Sequence, residues 1–68
     1  MLDENAEIAI KEKVRKVAGL ACELRALLEE IGEDYRNEGE FEMQWVFEDY
    51  ASEAGQVESG LDALIETF

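Results

Sequence analysis

Residues 27–50, LLEEIGEDYRNEGEFEMQWVFEDY, pack nine carboxylates among the aromatic side chains Tyr35, Phe41, Trp45, Phe47 and Tyr50. Carboxylate oxygens at this density are the donors that a hard cation such as Mg²⁺ selects, and a bound cation can polarise phosphate and activate water. Other chemistries are excluded by what the chain lacks. It has no histidine, so it offers neither imidazole acid–base catalysis nor a histidine-containing zinc site. Its single cysteine, Cys22, can build no cysteine-rich zinc cluster and no disulfide within the chain. Cys22 has no histidine or second cysteine to activate its thiol. Ser52, Ser59 and Thr67 have no imidazole to activate them.

Within this stretch LLEEIGE, residues 27–33, resembles the EExxE signature of MazG-type nucleotide pyrophosphohydrolases, read here as Glu29, Glu30 and Glu33. The resemblance implies carboxylates on adjacent helices holding Mg²⁺, which binds a triphosphate and activates water. That family carries a second acidic motif, ExxD, on the following helix. Here the residue three after Glu42 is Trp45, and the residue three after Glu48 is Ala51. The expected reading of the acids is therefore a solvated helix face, with no metal, no cofactor and no enzymatic activity.

The elements that position these residues follow from apolar spacing. Ile10, Val14, Val17, Ala21, Leu24, Leu28, Ile31 and Tyr35 recur at alternating steps of four and three, as do Met43, Phe47, Tyr50, Ala54, Val57, Leu61, Leu64 and Phe68. That period predicts two long packed helices and no strands. The break falls where Arg36 suits a helix C-terminus and Gly39 can adopt the left-handed conformation that ends one. Asn37 followed by Glu40 reads as a capping-box variant for the second helix, and Asp3, Glu4 and Asn5 are cap candidates for the first. The expectation is one all-α domain over 1–68: helix 1 about 4–35, a loop about 36–40, and helix 2 about 41–67.

A short loop makes such helices antiparallel neighbours. Folding back should bring the basic stretch Lys11–Lys16 near Glu58, Asp62 and Glu66. Gly19, Gly55 and Gly60, costly inside helices, are expected to permit close helix approach. A single hairpin is thin for 68 residues, and Leu20, Leu27 and Ile65 flank the two seams. Two hairpins are thus expected to pair as a homodimeric four-helix bundle. In size and layout these seams are similar to the small RNA-binding hairpin dimers of the Rop type, without their basic face.

Charge narrows the partners. Residues 1–36 hold all six bases and a net charge of −3; residues 37–68 hold nine acids and no base. Phosphate backbones are bound by clustered Lys and Arg, so direct nucleic-acid binding is not expected. No apolar run approaches the roughly 20 residues that span a bilayer, and the acidic N-terminus is unlike a signal peptide. A cytoplasmic location is expected. A protein partner with a basic or apolar groove fits best, which makes the chain a small acidic adaptor, co-chaperone or inhibitor. QVESGLDALI, residues 56–65, is similar to the second helix of type III secretion needle-subunit co-chaperones. The alternative is a DNA mimic presenting Glu48, Asp49, Glu53, Glu58, Asp62 and Glu66. The candidate partner-binding residues are Phe41, Trp45, Val46, Glu48 and Asp49, because Phe41 and Trp45 fall outside the heptad seam.

Overall fold

The computed structural model describes residues 3–68, which form two helices, α1 (Glu4–Asn37) and α2 (Phe41–Glu66). Asp3 caps α1: its carboxylate accepts a hydrogen bond from the Ala6 backbone N–H at 2.7 Å, and Glu4 and Glu7 in the first turn complement the positive end of the helix dipole. At the other end Gly39 takes φ 78°, the left-handed conformation expected of it. The Glu40 N–H donates to the Tyr35 carbonyl (2.9 Å) and the Gly39 N–H to the Arg36 carbonyl (3.0 Å). This is a Schellman closure, and it satisfies carbonyls that a helix end otherwise leaves open.

The closure moves two expected boundaries. α1 runs through Asn37 rather than stopping near 35, so the link is only 38–40, and α2 ends at Glu66 rather than 67. Asn37 lies inside α1 and cannot open a capping box; α2 instead begins after Glu40 with no side-chain cap. At its far end the Thr67 hydroxyl donates to the Leu64 carbonyl at 2.7 Å. The last turn of α2 has no base of its own. Lys11 and Arg15 of α1 supply positive charge there, standing 5.2 and 5.7 Å from the Phe68 ring centre.

Three contacts establish that the helices are antiparallel. Tyr35 stacks on Phe47 beside the link (centroids 5.6 Å), Arg25 bonds Glu58 midway, and Lys11 and Arg15 meet Phe68 at the open end. The same pairing corrects one expectation. The short link sets Gly32 against Gln44 and Phe47, which places Arg25, not Lys11–Lys16, opposite Glu58.

The line along which the helices touch differs from the expected seam. Along the contact, the buried or half-buried residues are Val14, Ala18, Ala21, Arg25, Leu28, Gly32 and Tyr35 on α1 and Gln44, Phe47, Ala51, Ala54, Glu58, Leu61 and Ile65 on α2, with Ala6, Lys11 and Gly55 also half-buried. Both sets keep the heptad. Ala18, Ala21, Ala51 and Ala54 are the buried apolar residues, and among the described residues no large side chain is fully buried. The remaining expected seam positions, Ile10, Val17, Leu24 and Ile31 with Met43, Tyr50, Val57 and Leu64, are exposed, as is Phe68 at the open end. Small residues let the two backbones come together, and the larger rows, one residue earlier in sequence, are rotated out by about 100°.

Glycine shows the same selectivity. The close approach lies at Gly32, where an added Cβ would sit 3.5 Å from the Gln44 carbonyl oxygen and 3.6 Å from Phe47 Cβ. Gly55 makes room for the Arg25 side chain, whereas Gly19 and Gly60 face open space, against expectation. Gly19→Ala should therefore stabilise the protein by about 1 kcal/mol, and Gly39→Ala should destabilise it by at least as much because of its positive φ. Thermal melts followed by circular dichroism check both signs.

Candidate functional site

Two surfaces flank the helix contact. The first is apolar. Val17, Leu24 and Ile31 each precede a buried or half-buried residue of α1 by one position, as Tyr50, Val57 and Leu64 do on α2. One residue earlier means the same rotation about each axis, and in two facing antiparallel helices equal rotations point to the same side. Ile10, Val17, Leu24 and Ile31 thus share one broad face with Met43, Tyr50, Val57 and Leu64. Leu20 and Leu27, 54% and 57% exposed, extend it around α1.

The second surface lies at the link end of α2 and holds Phe41, Trp45, Glu48 and Asp49. Trp45 is 62% exposed and Phe41 55% exposed, so neither ring is buried. The aromatic cluster at the tip is built without them: Tyr35 stacks on Phe47, and Phe47 meets Tyr50 edge to face at 5.7 Å. One helical turn before and after Trp45 stand Phe41, Glu42, Glu48 and Asp49. Glu42 was not singled out by the sequence reading, although its spacing of three from Trp45 carried the signal. Val46 sits 100° around the helix from Trp45 and belongs with Met43 and Tyr50 on the apolar face, apart from the other four candidates. Gln44 orients Glu48 through a 2.9 Å hydrogen bond.

The acids of 29–33 are exposed and do not converge. Glu29 accepts a hydrogen bond from Arg25 at 3.3 Å, and Glu33 pairs with Arg36 at 3.7 Å. Among the described residues no three metal-binding side chains come together. Of the acids expected to form a basic-partner face on α2, Glu58 turns inward to α1 while Glu48, Asp49, Glu53, Asp62 and Glu66 stay exposed.

Arg25 and Glu58 form the polar centre of the helix contact, Nε to carboxylate oxygen 2.8 Å. They line an open groove of about 600 Å³ with Ser52, Gly55, Gln56 and Ser59. The hydrogen bond from Arg25 holds the Glu58 carboxyl below the usual carboxylate range, outweighing the desolvation that pushes it up, with a smaller downward contribution from the Cys22 thiol. Arg25 is raised in turn, first by Glu58 and then by Glu29. The guanidinium is thus neutralised by two carboxylates, and Cys22 is exposed.

A carboxyl whose pKa is lower in the folded state contributes stability above its unfolded pKa and loses it as pH falls through the folded value. Protonating the other, unpaired acids relieves repulsion and acts oppositely. The Glu58 component is read as a difference. Below about pH 4, where an ordinary Glu protonates, the native protein should lose its stability advantage over Arg25→Met. Equal advantages at pH 3 and pH 7 would show that the pair is not linked to folding.

Among the described residues no helix is long and apolar enough to cross a membrane. No family model matches the chain, and comparison with curated proteins and with solved structures finds no significant match.

Proposed function

We propose that this chain is a non-catalytic protein-interaction module whose apolar face pairs with a second copy of itself, giving a four-helix bundle that presents acidic surfaces to a protein partner. The supporting observation is the unpartnered face formed by Ile10, Val17, Leu24, Ile31, Met43, Tyr50, Val57 and Leu64 beside a helix contact whose buried residues are alanine and glycine. Area supports the same reading. A compact 7.7 kDa monomer exposes roughly 4,300 Å², whereas this hairpin exposes 5299 Å². The excess, about 1,000 Å², is comparable to the roughly 800 Å² that each partner buries in an ordinary specific interface. Its radius of gyration, 15.9 Å, likewise exceeds the roughly 11 Å of a compact chain of this length.

A second copy, rather than an unrelated chain, fits for two reasons. The two rows lie side by side on one face, so a two-fold axis through that face sets apolar row against apolar row. The pairing also brings Leu20, Leu27 and Val46 to the flanks between copies. Absence of catalysis fits the outward Glu29, Glu30 and Glu33, which are dispersed among basic neighbours and solvent. Sedimentation equilibrium at micromolar concentration should give a dimer, and the melting temperature should rise with protein concentration. A folded monomer at those concentrations would overturn the reading.

A further inference from the structure

Trp45 is the most exposed large apolar residue among the described residues, and Phe41 and the carboxylates of Glu42, Glu48 and Asp49 stand one turn above or below it. It projects from the side of α2 remote from α1 and from the apolar face, so pairing with a second copy leaves it open. Residues 37–68 contain no base. The closest basic residue in sequence, Arg36, already pairs with Glu33. An indole bordered by three carboxylates, with no cation of its own, is complementary to one, because tryptophan is the best aromatic partner for a cation over its ring.

We propose that Phe41, Trp45, Glu42, Glu48 and Asp49 form a docking site for a basic amphipathic segment of another protein. An Arg or Lys side chain lies over the Trp45 ring within reach of the three carboxylates, and an apolar side chain of the segment packs on Phe41. Charge selects this occupant over the others. A second copy carries −12 and would set carboxylates against carboxylates. Nucleic acid and anionic lipid are repelled for the same reason. The remote acids steer the encounter, while the two rings set the lifetime of the complex.

The test uses the full chain and a synthetic helical peptide of Lys, Arg and Leu, free of tryptophan. Trp45 is the one tryptophan of the chain, so its emission reports directly on the site. Binding should shift that emission to the blue and shield it from acrylamide. Calorimetry should show affinity falling about tenfold or more in the Phe41→Ala, Trp45→Ala double variant, the scale expected for an aromatic anchor. In Glu42→Gln, Glu48→Gln, Asp49→Asn the association rate and its salt dependence should both fall. Circular dichroism of each variant checks that the fold persists, and sedimentation of the same samples follows self-pairing separately, so failure of the dimer and failure of docking are distinguishable. Undiminished affinity in the double variant overturns the proposal by placing the peptide elsewhere. Equal binding of polylysine also overturns it, by reducing the site to diffuse charge.

Discussion

Lysine at the centre of the apolar face, in the variant Leu24→Lys with Val57→Lys, is expected to convert the protein to monomers that lose most of their helical circular dichroism at micromolar concentration. The native side chains are 52% and 56% exposed in a single hairpin, where substitution alone would cost little. In a two-fold bundle they meet their symmetry mates, and the variant would bury four ammonium groups, each costing several kcal/mol without a partner. Stability of a small domain is about 5–15 kcal/mol, so the assembly cannot absorb that sum. The hairpin left behind has only alanine, glycine and half-buried side chains at its contact. General electrostatics works against this outcome: two added lysines reduce the net charge from −12 to −10 and ease repulsion. Loss of assembly would thus be attributable to the face itself. Glu12→Lys with Gln56→Lys, both on exposed positions away from it, is the control that should remain dimeric. A helical, dimeric Leu24→Lys, Val57→Lys variant would remove the bundle.

Phe47→Ala should lower stability by about 2–3 kcal/mol, somewhat under the 3–5 kcal/mol of a fully buried phenylalanine because Phe47 is half-buried. Its ring stacks on Tyr35, meets Tyr50 edge to face, and its Cβ lies at the Gly32 close approach. It is the large side chain that holds the link end of the two helices together. For a chain of this size each kcal/mol moves the melting temperature by about 4–8 °C, so a fall of roughly 10–20 °C is expected. Trp45→Ala, two residues away and removing a larger ring, should change stability by less than about 0.5 kcal/mol. Equal losses in the two variants would place Trp45 in the fold.

That contrast also shows how far the sequence could be read. Helix number, the break at Gly39 and the place of Phe41 and Trp45 outside the heptad seam were legible, since each depends on local chemistry or on one period; the choice of Asp3 among three cap candidates, and whether the two rings fold over the tip, were not. Which heptad row makes the contact within the hairpin was not. The row through Val17 and Leu24 and the row through Ala18 and Arg25 have the same period and differ by one residue. Hydrophobicity favours the first, but close packing of two helices selected the second, where Ala18, Ala51, Ala54 and Gly32 are small. Arg25 and Glu58 concealed it further, because a polar residue at a contact position reads as solvent-facing until its partner across the contact is known. Val46 was misgrouped for a simpler reason. Neighbours in sequence diverge by 100° on a helix, and adjacency to Trp45 was no evidence of a shared surface.

The Arg25–Glu58 pair has a consequence for alignment. Two helices lined with alanine can slide past one another by a heptad and still touch through small residues. A slip of seven positions in one direction would set Arg25 against Ala51, and in the other against Ile65, leaving Glu58 without a partner in a partly desolvated contact and Arg25 with Glu29 alone. A lone charge so placed costs far more than an ion pair contributes, so the pair acts by penalising the slipped states. A contact of alanines brings the helices close without fixing where they stop; one arginine and one glutamate select a single stop. The short link at 38–40 reaches the same alignment from the end of the molecule, and the agreement of the two keeps Trp45 at a constant height above the tip.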